Sequence, residues 1–305
     1  MLLFILVKIS YYIGMKTKNK KENVLIFGYG EMGKVFEKII LNSNIYIWDD
    51  HDSNKKMSGK TLDQVLSMAD IIIFCVPSWV LRTAITPIAS KIKKNTQILV
   101  ISKGVEVKTN FLPFEVVKNI LPKNNISYIA GPMISEEILL GHKASALLAT
   151  KKDFFSKFES LISKNISLSY VPAKDIASIS WTAVLKNVYA MYIGLLFEKN
   201  KSYNTVGSDV VGILKEMEDL LKKLKSKPEY ATSIVGLGDL ITTCMSPHSS
   251  NRAAALCLLR GENKKNEGIV SLVALKSILK KDIKLFPYLD FLSAACGARL
   301  EFVAK

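Results

Sequence analysis

Short apolar runs alternate with segments of helical periodicity along the first half of the chain. The runs predict six β-strands, at residues 24–27, 45–48, 70–77, 97–102, 127–131 and 146–150. Runs without polar alternation are typical of strands buried on both faces, and strands that alternate with helices favour a parallel sheet. The pattern therefore predicts an α/β fold class, with a doubly wound domain over residues 23–172.

Beyond Pro172 the periodicity becomes helical. The predicted helices, which Gly, Pro or Asn residues separate, span 175–198, 207–226, 231–246, 250–260 and 269–280. We expect an all-helical C-terminal domain over residues 173–305.

The first 22 residues differ from the rest. They join a short apolar run, interrupted by Lys8, to a lysine-rich stretch. The run is shorter than the roughly 20 apolar residues of a membrane-spanning helix and lacks the features of a secretory signal. We expect residues 1–22 to be an extension outside the fold, disordered or the product of an over-extended start. Attachment to a membrane surface is the alternative.

Composition excludes several classes of protein. With 305 residues, 49% hydrophobic and 23% charged, the chain is long and apolar enough for two folded domains. Its net charge of +15 comes from lysines scattered along the sequence, so we expect neither nucleic-acid binding nor stable membrane insertion. The four cysteines form no C-x-x-C pair, and the three histidines lack the spacing of metal ligands. We therefore expect no metal site and a reducing, cytoplasmic compartment.

A glycine-rich turn follows the first predicted strand. The spacing of Gly28, Gly30 and Gly33 permits a tight turn, close approach of a pyrophosphate and helix packing on the strand. Asp49 and Asp50 end the next strand about 20 positions on, where a carboxylate binds ribose hydroxyls and repels a 2′-phosphate. The pattern predicts a Rossmann-type dinucleotide site that favours NAD over NADP. Asp50 is the first choice because it lies further past the strand.

A single charged residue, Lys186, lies between Ile176 and Phe197. A buried ammonium usually pairs with a carboxylate or loses its proton. Lys186 is therefore a candidate general acid or base with a lowered pKa. The alternative is a lysine that extends from the helix edge to solvent.

The segment 236–252 supplies a possible partner. Asp239 follows a glycine turn, either as a helix N-cap or as the carboxylate that pairs with Lys186. In the second case nearby side chains would donate hydrogen bonds to an anionic substrate. These donors are Thr242, Thr243, Ser249, Asn251 and Arg252. His248 and Cys244 are interpreted as loop and core residues.

Seven motifs occur in order along both halves of the chain: GYGEMG at 28–33, CVPS at 75–78, SKGVE at 102–106, AGPMISEE at 130–137, AVLKNVYAMYIG at 183–194, GLGDLITTCMSPHSSNR at 236–252 and NEG at 266–268. With them the chain resembles the NAD(P)-dependent glycerol-3-phosphate dehydrogenase family over about residues 23–300. The resemblance implies reversible hydride transfer between a nicotinamide cofactor and the pair glycerol 3-phosphate and dihydroxyacetone phosphate. It also implies supply of glycerol 3-phosphate for phospholipid synthesis, and a homodimer whose helical domain, residues 173–305, serves substrate binding and dimerisation.

Residue roles are likewise implied by the resemblance. Lys186 would handle the hydroxyl or carbonyl proton, Lys103 would polarise the same oxygen, and Asp239 would orient the lysine. Substrate contacts are implied at these three residues and at Gly131, Asn187, Thr243, Ser249, Ser250, Asn251 and Arg252. Cofactor contacts are implied at Gly28, Gly30, Glu31, Met32, Gly33, Asp50, Pro77, Lys103, Ser135, Ser250 and Glu267.

Three positions depart from the family pattern. Ser250 stands where the family usually has arginine, Met133 where it has serine, and Glu31-Met32 where it has a small residue and Trp. We therefore expect weakened substrate affinity, with Arg252 binding more of the anion. The alternatives are a weakened or non-catalytic nucleotide-binding descendant and a related two-domain hydroxy-acid dehydrogenase.

Overall fold

The computed structural model describes residues 21–162, 168–198, 202–246, 249–260, 262 and 265–297. The first strand begins at Asn23, where the regular sequence pattern begins. The predicted N-terminal extension falls mainly on residues 1–20, which lie outside the described residues.

A seven-stranded sheet forms most of the first half, in the order β2-β1-β3-β4-β5-β6-β7. Its strands are β1 (Asn23–Phe27), β2 (Asn44–Trp48), β3 (Ile71–Phe74), β4 (Gln97–Val100), β5 (Asn125–Ala130), β6 (Ala144–Ala149) and β7 (Leu168–Ala173). The six predicted strands are confirmed with shifted ends. β7 was not predicted, because this half-exposed edge strand contains Pro172, which is tolerated only at a sheet edge or strand end.

The expectation of a wholly parallel sheet is wrong at one edge. Strands β1 to β5 are parallel, but β6 runs antiparallel to β5, and β7 is parallel to β6. Only the five-residue helix Ser135–Leu139 lies between β5 and β6. A parallel crossover usually takes a dozen or more residues and contains a full helix, whereas an antiparallel pair needs no crossover. The connection here, residues 131–143, is close to that minimum, and β6 pairs with β5 in the antiparallel direction.

Helices cover both faces of this sheet. They are α1 (Glu31–Ile39), α2 (Leu62–Met68), α3 (Leu81–Ile85), α4 (Pro113–Ile120), α5 (Ser135–Leu139) and α6 (Lys152–Leu161). Successive strand residues enter opposite cores: Leu25 and Phe27 pack on one face, and Val24 and Ile26 on the other. Because β1, β3 and β4 are parallel neighbours, their carboxyl ends meet at one edge, which is where ligands bind in doubly wound sheets.

The second half is helical over its described residues, as predicted. Its helices are α7 (Ile176–Glu198), α8 (Tyr203–Lys223), α9 (Asp239–Met245), α10 (Ser250–Leu259), α11 (Glu267–Leu279) and α12 (Pro287–Cys296). The predicted helix 231–246 is divided, because a π-helical turn at Ile234–Gly238 precedes α9. α12 was not predicted. The domain boundary at residue 172 stays a prediction.

Helix α7 joins the two halves. Ile179 and Ala183 near its start belong to the core of the sheet, and its later residues form the centre of the helical core. A helix that is apolar on all sides is buried rather than amphipathic. No helix within the described part of the chain is long and apolar enough to cross a membrane.

Candidate active site

Lys186 projects from the middle of the buried helix α7. The residue is 4% exposed, so it does not reach solvent along the helix edge. Its Nζ lies 3.0 Å from Asp239 Oδ1 and 2.8 Å from Thr243 Oγ1. The burial of α7 thus places an ammonium inside the protein, where α9 supplies its partners.

Asp239 joins Lys186 to a second lysine. Asp239 begins α9 directly after the π-helical turn and is 3% exposed. Its Oδ2 accepts a hydrogen bond of 2.7 Å from Lys103 Nζ, which also donates to the carbonyl of Gly131 at 3.1 Å. Lys103 follows β4, so residues distant in sequence converge on one carboxylate. The carboxylate bridges two lysines rather than capping the helix.

The three charged groups perturb one another. Burial lowers the pKa of Lys186 to about 8; the Asp239 carboxylate opposes this effect and the Lys103 ammonium adds to it. Burial alone would raise the pKa of Asp239, but the two ammonium groups outweigh it and hold that pKa below its usual value. With both lysines protonated, two positive charges and one negative charge leave a net +1. The site is therefore electropositive and favours a group that carries or develops negative charge.

A cavity of about 510 Å³ opens above this triad. The predicted site residues that line it are Gly30, Glu31, Met32, Pro77, Lys103, Ser135, Lys186, Asn187, Asp239, Thr243, Ser249, Ser250, Asn251 and Glu267. Gly131 contributes its carbonyl to Lys103. Thr242 does not line this cavity, and its hydroxyl donates to the carbonyl of Gly238. The side chain of Arg252 lies outside the described residues, as does His248.

The glycine-rich turn has the geometry of a phosphate cradle. Gly28 has φ +98°, and a Cβ on Gly33 would lie 2.4 Å from the carbonyl oxygen of Gly28, so both positions exclude a side chain. A Cβ on Gly30 would meet nothing within 4 Å, so its backbone borders open space. No side chain caps the N-terminus of α1 at Gly30, which leaves N–H groups available to an anion. These residues fit a pyrophosphate.

A second cavity of about 450 Å³ lies beyond the turn, lined by Gly28, Trp48, Asp49 and Asp50 among others. Val76 lines both cavities, so the two lie next to each other at the glycine turn. The Asp49 carboxylate accepts hydrogen bonds from the backbone N–H groups of Tyr29 and His51 and from Asn54, and thereby holds the turn. Asp50 is exposed at the rim, where it can meet a ribose.

Glu267 also lines the larger cavity. Its carboxylate accepts hydrogen bonds from the backbone N–H and the hydroxyl of Ser78. Burial raises the pKa of Glu267 to about 7, although both bonds and Lys103 favour the charged form.

Ser78, Trp48 and Asn266 were missed as site residues by sequence reasoning. Ser78 ends the CVPS motif and Asn266 begins NEG, so the motifs carried a signal for both. Trp48 ends the second strand beside the two aspartates. The polar position before α11 is also a signal, because Asn is a preferred N-cap residue.

The structure also shows the surroundings of the residues that depart from the family pattern. Glu31 pairs with Lys34 at 2.9 Å on the half-exposed start of α1, which offsets its charge near the glycine turn. Met133 lines the larger cavity, and Ser250 is exposed where α10 begins. A neutral hydroxyl therefore lies at the cavity rim where the family usually has arginine.

Comparison with known proteins agrees with this geometry. Residues 14–155 match the family described as NAD-dependent glycerol-3-phosphate dehydrogenase N-terminus, and residues 175–298 match its C-terminus. A glycerol-3-phosphate dehydrogenase [NAD(P)+] of Ehrlichia canis is 32% identical over 239 residues, covering 74% of this chain and 73% of the relative. That of Neorickettsia sennetsu is 30% identical over 233 residues, covering 74% and 69%.

Solved structures share the fold. The glycerol-3-phosphate dehydrogenase of Coxiella burnetii superposes with a TM-score of 0.80 at 21% identity, covering 93% of this chain and 98% of that chain. A D-mandelate dehydrogenase complex superposes with a TM-score of 0.61 at 16% identity, covering 92% and 99%. Dehydrogenases named for different substrates thus share this fold.

Proposed function

The chain belongs to the NAD-dependent glycerol-3-phosphate dehydrogenase family, and from this we propose that it interconverts sn-glycerol 3-phosphate and dihydroxyacetone phosphate reversibly with NAD or NADP. The observation that carries the proposal is the buried triad of Lys103, Asp239 and Lys186 at the base of a cavity beside the glycine turn. When bound, the nicotinamide dinucleotide supplies or accepts the hydride.

The two lysines are the groups that act on the reacting oxygen. A protonated lysine has three N–H donors. Lys186 directs two of them to Asp239 and Thr243, and Lys103 directs two to Asp239 and Gly131. One donor of each ammonium remains for a ligand in the cavity. Two such donors aimed at one carbonyl oxygen stabilise the negative charge that develops when the ketone is reduced.

Lys186 is the proton donor in ketone reduction. Its pKa of about 8 leaves it mainly protonated at neutral pH and still able to release a proton. The ammonium gives one proton to the carbonyl oxygen as the alcohol forms, and the resulting amine regains a proton from solvent. In alcohol oxidation the neutral amine removes the hydroxyl proton.

Donors at the cavity rim would bind the phosphate of the substrate. Ser249, Ser250 and Asn251 line that side, and Arg252 follows them in α10. The residues of the glycine turn, with Pro77, Ser135, Glu267 and Asp50, would bind the cofactor.

Steady-state oxidation of NADH with dihydroxyacetone phosphate tests the proposal. We expect turnover that Lys186→Ala lowers by at least about a hundredfold, because general acid–base catalysis contributes about 10² to 10⁴. NADH affinity, measured by fluorescence titration, should change little. Lys118→Ala is the matched control, since Lys118 is an exposed lysine on α4, and it should keep full activity.

Two outcomes would favour the alternatives. NADH binding without turnover of any hydroxy or keto substrate would indicate a non-catalytic descendant. Turnover of an unphosphorylated 2-keto acid but not of dihydroxyacetone phosphate would indicate a related hydroxy-acid dehydrogenase, the function named for one structure with this fold.

We also propose a cytoplasmic homodimer of two domains, divided near residue 172, that supplies glycerol 3-phosphate for phospholipid synthesis and binds no nucleic acid. Exposed apolar side chains on the helical half support an interface between copies; they include Tyr203, Val211, Leu285 and Phe291. Light scattering at several protein concentrations would measure the assembly. Affinity for duplex DNA at low salt would test the last point.

A further inference from the structure

A chain of three buried asparagine amides runs beneath the rim of the larger cavity. Asn187 on α7, Asn251 on α10 and Asn266 before α11 are 4%, 6% and 5% exposed. Asn266 Nδ2 donates to Asn251 Oδ1 at 3.1 Å, and Asn251 Nδ2 donates to Asn187 Oδ1 at 2.9 Å. These hydrogen-bonded amides therefore connect three helices of the site through side chains alone.

Backbone groups at both ends of this row of amides fix which way its hydrogen bonds point. The Ile269 N–H, which can only donate, binds Asn266 Oδ1 at 2.9 Å. At the other end the Lys103 carbonyl, which can only accept, receives a hydrogen bond of 3.4 Å from Asn187 Nδ2. If any one amide were reversed, two donors or two acceptors would face each other. All three amides must therefore point the same way.

The direction matters at Asn251, because this residue lines the cavity where the substrate phosphate is proposed to bind. Its Oδ1 faces Asn266, so its Nδ2 faces Asn187 and retains one further N–H. An anion needs that N–H and would be repelled by the oxygen. Asn266 also donates to the carbonyl of Ser250 at 3.3 Å, which ties the start of α10 to the same amide.

We propose that Asn266 is a positioning residue for the substrate phosphate. It holds Asn251 so that the remaining amide N–H, rather than the amide oxygen, faces the anion. This inference rests on the function proposed above and assigns a specific role to a residue outside the ligand contacts. The N-cap of the helix that carries Glu267 thereby also sets the anion site.

The packing around Asn251 allows little freedom for another arrangement. A Cβ on Gly268 would lie 3.0 Å from Asn251 Oδ1 and 2.9 Å from Met191 Sδ. The first turn of α11 therefore lies directly against the amide. Asn266 Nδ2, at 3.1 Å, is the donor that satisfies Asn251 Oδ1.

Two substitutions separate positioning from capping. Asn266→Ser and Asn266→Asp both keep an oxygen that can cap α11, because Ser, Asp and Asn are all good N-cap residues. Neither keeps the amide donor to Asn251. We expect the KM for dihydroxyacetone phosphate to rise about three- to tenfold in Asn266→Ser, the effect of one lost hydrogen bond. The rise should be larger in Asn266→Asp, whose second carboxylate oxygen faces Asn251 Oδ1.

The matched controls use the same protein. Asn124 is also 5% exposed and donates to two backbone carbonyls away from the cavity, so Asn124→Ser should leave the KM unchanged. Dihydroxyacetone, which lacks the phosphate, should show the same kcat/KM in the Asn266 variants as in the unchanged protein. NADH affinity should likewise be preserved.

The outcomes distinguish the two proposals. If the unchanged protein neither turns over dihydroxyacetone phosphate nor binds glycerol 3-phosphate in calorimetry, the proposed function fails. If it does both, and Asn266→Ser and Asn266→Asp retain its KM, the positioning role is overturned while the function stands. An equal loss with dihydroxyacetone would also overturn it, because a general distortion would not act through the phosphate.

Discussion

Replacement of Asp239 by asparagine should move the pH dependence of the reaction. In the unchanged protein burial lowers the pKa of Lys186, and the Asp239 carboxylate limits that fall, so the net pKa is about 8. Asparagine retains the size of the side chain but removes its negative charge. Lys186 and Lys103 then repel each other without a compensating carboxylate. The pKa of Lys186 must therefore fall further.

The size of this change follows from the distance between the charges. Coulomb's law gives about 5.5 kcal/mol for unit charges 3.0 Å apart at an effective dielectric constant of about 20. That energy corresponds to about four pH units. Water entry and movement of Lys103 reduce the effect, and opposite charges at such distances usually shift a pKa by about one to three units. We expect a shift in that smaller range.

The assay is kcat/KM for dihydroxyacetone phosphate across pH, because this ratio reports the ionisation of the free enzyme. Ketone reduction needs protonated Lys186, so the rate should fall above about pH 8 in the unchanged protein. In Asp239→Asn the same fall should occur about one to three pH units lower. Asp175→Asn is the control, since this carboxylate caps the start of α7 and its replacement should leave the profile unchanged. A fall at the same pH or a higher pH in Asp239→Asn would refute the reasoning.

Three further changes test other parts of the structure. Asp50→Arg should narrow or reverse a preference for NADH over NADPH, because arginine pairs with a 2′-phosphate. Equal kcat/KM with both cofactors in the unchanged protein would contradict the placement of Asp50 beside the cofactor ribose. Ser250→Arg should lower the KM for dihydroxyacetone phosphate at fixed low salt, since a charge-assisted hydrogen bond contributes about 1.5 to 3 kcal/mol. An unchanged or higher KM would mean that another cation already binds the phosphate. Glu216→Ala should lower the free energy of unfolding by about 2 to 4 kcal/mol in urea denaturation. The hydroxyl of Tyr189 and the backbone N–H groups of Tyr288 and Leu289 would lose their acceptor. A loss below about 1 kcal/mol would contradict this role of Glu216.

Local patterns were sufficient for most of the architecture. Buried strands and long helices leave strong signals, because an apolar run of strand or helix length must be covered by other elements. β7 and α12 left weaker signals. The direction of β6 depends on how it pairs with β5 after a short connection, and apolar periodicity does not record that pairing.

Part of the candidate site could likewise be identified from the sequence, and part could not. Lys186 stood out within its own segment, because an isolated charge in an apolar helix requires a partner wherever the helix packs. Its sequence neighbours could not reveal that Asp239 would also receive Lys103, since the three residues belong to separate elements. The net charge of the triad, and hence the pKa of Lys186, arises only where those elements meet.

The sequence by itself determined the type of fold, the glycine turn and the candidate residues, because spacing and residue type act over a few positions of the chain. Only the tertiary structure decided which groups share protons and hydrogen bonds. Asn266 illustrates the difference. As an N-cap it could be identified from its position before α11, but its hold on Asn251 depends on the packing of α10 against α7 and α11. Hydrogen bonds act over about 3 Å, and folding alone brings distant residues within that distance.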